Sequence, residues 1–193
     1  MLTFLSLDLS SYKIGWCLWD GTKYIDSGVI DVTNHSSPIK MNHRFRHLDA
    51  NRRERVRVIH EMVDDLIIEN NVDYVVKETA MGYRNNSTAV TMGVVHGAVE
   101  TINIPFLDIT PNEWMDKIKR LPDANGVSKK SKSAKRKEFG YWADNFFISE
   151  LNRIPKTDDE SDAYCLGYYH IYHDDSGFGY HDVVEMFESG IKF

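Results

Sequence analysis

Phe4-Leu5-Ser6-Leu7-Asp8-Leu9, followed by Ile14-Gly15-Trp16-Cys17-Leu18-Trp19 and then Asp20-Gly21, is the stretch that decides the fold. Two apolar runs separated by a few polar residues read as buried strands over 2–9 and 14–19. Asp-Gly is a hairpin-turn signal, and it leads into a third strand, Tyr24 to Val32. The chain therefore opens as an antiparallel meander. One residue in it is out of place. A carboxylate inside an apolar strand is costly to desolvate unless a cation or a metal ion compensates it. Asp8 taken alone is open to either answer, an arginine or a metal.

Further along, a polar stretch (Asn34-His35-Ser36-Ser37-Pro38) precedes a long helix expected from about 42 to 70. Its apolar positions Val56, Ile59, Val63, Leu66 and Ile67 recur at helical spacing. Val72 to Lys77 is a nearly continuous apolar run ending in Glu78, the pattern of a central parallel strand. Residues 86–101 read as a helix with Ala89, Gly93 and Gly97 at four-residue intervals, a small-residue face suited to close packing. Ile104 to Ile109 is the next strand. Thr110-Pro111-Asn112-Glu113 opens a helix with an N-cap, Pro at the first position and a capping-box glutamate. A loop follows over 121–131, then a helix with Phe139, Trp142, Phe146 and Phe147 on its apolar side. Thr157-Asp158-Asp159-Glu160 repeats the capping-box pattern before a last helix to Tyr172. A meander continued by alternating strands and helices predicts an α/β fold: a mixed five-stranded sheet, three antiparallel strands plus two parallel ones, with helices on both faces. Residues 1–173 make one domain in this reading, and 174–193 a C-terminal extension.

The bulk properties exclude several classes. At 193 residues the chain can bury a full core, and 42% hydrophobic with 27% charged residues is ordinary globular composition. No apolar stretch reaches the roughly 18–20 residues of a membrane span, so no membrane association is expected. Cys17 and Cys165 both lie in apolar segments, which points to a reducing compartment; with no secretory leader pattern, a cytoplasmic location is expected. The net charge is −6, yet the cations are clustered. Arg44, Arg46, Arg52, Arg53, Arg55 and Arg57 crowd one segment, and Lys129, Lys130, Lys132, Lys135, Arg136 and Lys137 another. Such patches can bind a phosphate backbone on an acidic protein, since salt screens charges beyond about 8–10 Å. The second patch is the expected DNA-binding segment. The arginines of the first have Glu54, Glu61, Asp64 and Asp65 within helix-face reach, so ion pairing competes there with DNA contact.

Asp8 gains companions from this order of elements. Ligand sites in open α/β sheets gather at the carboxyl ends of parallel strands, where Glu78 sits. Asp159 and Asp162, three apart, share one face at the start of a helix, where the macrodipole favours ionised carboxylates. Hard oxygen ligands with no cysteine or convincing histidine pair favour Mg²⁺ or Mn²⁺ over zinc. Asp158 stands as an alternative to Asp159.

Taken together, Leu5-Ser6-Leu7-Asp8-Leu9-Ser10 with Gly15, Tyr74-Val75-Val76-Lys77-Glu78, Thr88-Ala89-Val90-Thr91-Met92-Gly93-Val94-Val95-His96-Gly97 and Asp159-Glu160-Ser161-Asp162-Ala163 resemble the RuvC family of Holliday junction resolvases. That family has a ribonuclease H-like fold, and the resemblance runs from Leu2 to about Tyr172. It implies a Mg²⁺-dependent endonuclease in which Asp8, Glu78, Asp159 and Asp162 hold two metal ions, with Mn²⁺ able to substitute. Asp8 is expected to bridge both ions and Glu78 to hold one of them. It implies a homodimer that nicks two symmetry-related strands of branched DNA, leaving 5′ phosphate and 3′ hydroxyl ends. The helix carrying Ala89, Gly93, His96 and Gly97 is the expected dimer interface, and no nucleotide cofactor is implied. Family members carry an aromatic wedge three positions after the glutamate; here Met81 stands there, with Tyr83 two residues on, and Arg84 joins them as an expected DNA contact. The usual Asp-Pro-Gly is replaced by Asp8-Leu9-Ser10. These departures mark a divergent member, and a virus-encoded one would fit. Three other readings compete. One is a ribonuclease H-like nuclease acting on RNA–DNA hybrids or flaps. The others are a non-catalytic branched-DNA-binding protein and a sugar kinase or actin-like ATPase, whose two such domains typically make a much longer chain.

Overall fold

The computed structural model describes residues 1–33, 44–79, 86–121, 135–173 and 179–191, with the backbone alone for 44–51, 86–87 and 135–141. Five strands form one sheet in the order β3-β2-β1-β4-β5: β1 Thr3–Asp8, β2 Lys13–Asp20, β3 Lys23–Asp31, β4 Tyr74–Glu78 and β5 Phe106–Ile109. β1–β2 and β2–β3 are antiparallel; β1–β4 and β4–β5 are parallel. The meander-plus-parallel arrangement expected from the sequence is the one observed. Six helices complete the described fold: α1 Arg44–Glu69, α2 Asn86–Val99, α3 Pro111–Ile118, α4 Lys135–Leu151, α5 Asp158–Tyr172 and α6 Tyr180–Glu188. No helix among the described residues is long and apolar enough to cross a membrane.

Strand alternation divides the core in two. Leu5, Leu7, Ile14, Leu18 and Val75 pack with Ile59, Val63, Val95 and Val99 on the α1/α2 side. Phe4, Cys17, Trp19, Tyr74 and Val76 face the other way, against Trp114, Phe146, Phe147, Tyr164 and Tyr169 from α3, α4 and α5. Phe146 and Phe147 are core as expected, whereas Trp142 is only half-buried. Cys17 and Cys165 are free thiols in this second layer, and burial pushes both thiol pKa values up. The segment 174–193 contributes α6, which buries Tyr180 and Val183 in the same layer.

α5 is buried along almost its whole length and lies across the sheet. Two glycines permit its approach. A Cβ on Gly15 would sit 1.7 Å from the Asp159 carbonyl oxygen, and one on Gly167 would sit 2.3 Å from Trp19 Nε1. Ser6 locks the crossing: its Oγ donates to the Ala163 carbonyl at 2.7 Å and accepts from Trp19 Nε1 at 3.0 Å.

Candidate metal centre

The same alternation that puts Phe4 and Ser6 on the α5 face puts Asp8 there too. On β4, Tyr74, Val76 and Glu78 share that face. β1 and β4 pair in register through Leu7 and Lys77, so Asp8 and Glu78 are the next residues side by side, at the carboxyl ends of two parallel strands. The third contribution comes from α5. Its first turn is pinned against β2 at Gly15, which is paired with Asp8 across the β1–β2 ladder.

The carboxylates lie near enough for their charges to act on Asp162. Asp162 is pushed well up, first by burial and then by the charges of Asp8, Glu78, Asp158 and Asp159. Its Oδ1 is sealed from solvent with no hydrogen-bond partner among the described residues. Burial, and then Asp158, push Asp159 up as well. A buried acceptor without a donor, ringed by like charges, is unfavourable for the protein alone and suits a hard divalent cation. The donor chemistry, hard carboxylate oxygens, is that which Mg²⁺ or Mn²⁺ takes. No three described His, Cys, Asp or Glu residues are drawn to ligating distance of one another.

The neighbours position these groups. Trp114 Nε1 donates to Glu78 Oε1 at 3.4 Å, linking α3 to the end of β4. Nothing in the sequence pairs these two residues, whose contact spans 36 positions. Thr157 caps α5 by accepting from the Glu160 backbone N–H at 3.4 Å. The other half of the expected capping box is redirected: Glu160 accepts from the Lys156 N–H at 2.5 Å, from Ser27 Oγ at 2.8 Å and from Arg153 at 2.8 Å. Burial raises the Glu160 carboxyl, but these donors prevail and hold it below the usual range. Glu160 thus anchors α5 to β3 between Asp159 and Asp162. Ser161 Oγ donates to Asp144 of α4 at 2.5 Å.

Other expectations divide. Gly93 and Gly97 are exposed with nothing within 4 Å of a Cβ, so no described element packs on that stripe. Ala89 is half-buried. His96, grouped with them by sequence, is turned inward: it is 6% exposed, and burial followed by the Lys77 ammonium lowers its pKa. The open α2 face is instead completed by Val90 and Val94. Arg57 pairs with Glu54 at 2.7 Å and Glu61 at 2.5 Å, the helix-face ion pairing anticipated for that segment. Met81, Tyr83, Arg84, Lys129, Lys130 and Lys132 lie outside the described residues; Lys135, Arg136 and Lys137 begin α4, described in its backbone only.

The strand order β3-β2-β1-β4-β5 with a helix laid across it is a ribonuclease H-like fold. No family model matches the chain. It is similar to the crossover junction endodeoxyribonuclease RuvC of Carboxydothermus hydrogenoformans, at 24% identity over 155 residues, covering 77% of this chain and 89% of that protein. In structure it resembles RuvC of T. thermophilus in complex with a Holliday junction substrate, with TM-score 0.62 and 17% identity over 92% of this chain and 98% of that one. A second structure of Thermus thermophilus RuvC gives TM-score 0.54 at 19% identity, covering 88% and 93%. The chain shares its fold with these RuvC structures and is similar in sequence to a RuvC protein over most of its length.

Proposed function

We propose that the chain is a divalent-metal-dependent endonuclease that resolves four-way DNA junctions by paired, symmetric nicks. The observation that carries this reading is Asp162 Oδ1, a sealed acceptor without a donor, facing Asp8 and Glu78 across the α5 approach. Bound Mg²⁺ or Mn²⁺ supplies the Lewis acidity for phosphodiester hydrolysis. The chain's own part is to hold Asp8 and Glu78 on adjacent strand ends, aim Glu78 through Trp114, and fix Asp159 and Asp162 through the Glu160 anchor. Met81, Tyr83, Arg84 and the basic residues from Lys129 to Lys137 supply DNA contacts in this reading.

A labelled synthetic four-way junction, incubated with and without Mg²⁺ and mapped on all four strands, tests it. Symmetric nicks on two opposing strands, with 5′ phosphate and 3′ hydroxyl ends, are expected. Asp8→Asn should bind the junction and leave it uncut. Nicks on one strand alone, no nicks with any divalent ion, or preferential degradation of an RNA–DNA hybrid would refute the reading.

Paired nicks need two sites, and the exposed face of α2 around Val90, Gly93, Val94 and Gly97 is the proposed homodimer contact. Val94, 44% exposed, can carry a charge without disturbing the monomer core. Val94→Arg should halve the mass in sedimentation equilibrium with an unchanged circular dichroism spectrum, and the two nicks should lose their coupling. A wild-type mass already equal to one chain would remove the interface.

A further inference from the structure

The turn between β1 and β2 carries groups that the metal centre does not use. Lys13, Gly15, Cys17 and Trp19 alternate onto the α5 face, which brings Lys13 to the β3 side of the carboxylate cluster. Its charge reaches Asp159. Its nearest partner is loose: Asp31 stands 3.5 Å away, with both side chains nearly half exposed. Asp31 already accepts from the Thr33 backbone N–H at 2.9 Å and from Thr33 Oγ1 at 2.5 Å, so it keeps its partners if Lys13 leaves.

Tyr12 precedes Lys13 and is 48% exposed. The Arg55 guanidinium of α1 lies 4.5 Å from its ring centroid, and Arg55 Nε is buried with no hydrogen-bond partner among the described residues. A half-open aromatic ring backed by a cation is a stacking platform for a nucleobase, since every base offers a π-face. A polyanionic strand must also approach Asp8, Glu78, Asp158, Asp159 and Asp162, so a cation beside them offsets repulsion that the ions do not reach.

We propose that this turn holds the strand being cut: Lys13 takes the phosphate next to the one hydrolysed, and Tyr12, braced by Arg55, stacks on a base of the same strand. The inference rests on the nuclease reading above. The ligand is a nucleotide step of a DNA strand, recognised without regard to sequence.

The test uses full-length protein and a four-way junction carrying 2-aminopurine beside the cut position, titrated in metal-free buffer at several salt concentrations. Lys13→Ala should lower the slope of log affinity against log salt by about 0.9, the loss of one phosphate contact, and Lys13→Arg should restore it. Tyr12→Leu, which keeps bulk but not the ring, should weaken binding about tenfold and abolish the 2-aminopurine fluorescence change. Tyr12→Phe should match the wild type. A platform that merely ties α1 to the turn would tolerate Leu, and a wild-type signal in Tyr12→Leu overturns the stacking role. An unchanged salt slope in Lys13→Ala overturns the phosphate contact. Wild-type protein that neither binds nor cuts the junction overturns the nuclease reading itself. Should a variant lose its fold, photocrosslinking of a 5-iodouracil junction to wild-type protein reads the same contact. An adduct at Tyr12 supports it, and adducts confined to other residues overturn it.

Discussion

Lys77 and Glu78 are neighbours in the chain and opposites in the fold. Lys77 points to the α1/α2 face, 1% exposed, and its ammonium is paired with Glu100 at 2.8 Å and with Asp108. Glu78 points to the α5 face, where burial and then the charges of Asp8, Glu78, Asp158 and Asp159 push the Asp162 carboxyl up. The first charge is neutralised by two carboxylates of the protein; in the second set Asp162 Oδ1 is buried with no hydrogen-bond partner among the described residues. The two faces differ in their packing as well. The α1/α2 side is aliphatic, whereas the α5 side combines aromatic rings with backbone contacts that admit no Cβ. A buried charge with its counter-charges at hand is a structural device. A half-buried cluster of like charges held by rigid packing is a candidate site.

The largest effect should follow from removing one of these carboxylates. Asp162→Asn is expected to reduce junction cutting to background. The same change should raise the melting temperature of metal-free protein by several degrees, about 1–2 kcal/mol, because a like-charge repulsion disappears. Mg²⁺ should raise the melting temperature of the wild type and leave the variant unmoved. A variant that melts lower in metal-free buffer would place Asp162 in the same category as Lys77, and the contrast would collapse.

Gly15→Ala comes next and probes packing rather than charge. The new methyl would collide with the Asp159 carbonyl, a backbone atom that can retreat only if α5 moves. The expected cost is about 3 kcal/mol or more in urea unfolding, with cutting reduced even in protein that remains folded. An active, stable variant would show that α5 has slack and that the carboxylates need no such close approach.

These contrasts were unequally legible in the sequence. Period-two alternation and the Asp20-Gly21 turn were enough for the meander, and Glu78 at a strand end was enough to place it near Asp8. The helix spacing of Asp159 and Asp162 gave their shared face, and convergence on Asp8 followed once α5 crossed the sheet. What the pattern could not give was long-range complementarity. Trp114 reaching Glu78, Gly15 seating Asp159 and Glu160 turning to Arg153 and Ser27 depend on side chains meeting across the fold. His96 was grouped with Gly93 and Gly97 because it adjoins Gly97, while one step of helical rotation turns it inward, toward Lys77.

The smallest effect should come from Lys77 itself. Met nearly matches its length and volume, so Lys77→Met removes the ammonium without opening a cavity. Breaking a buried ion pair is damaging when the abandoned partner stays buried, but Glu100 and Asp108 are 46% and 47% exposed and can take water instead. The expected change in unfolding free energy is within about 1 kcal/mol of zero, and junction cutting should stay within a few-fold of the wild type. Cutting lost from a well-folded Lys77→Met would mean that the pairs to Glu100 and Asp108 hold the end of β4, and Glu78 with it, in position. The charge on the aliphatic face would then serve the site on the other side of the sheet, and the two faces would no longer be independent.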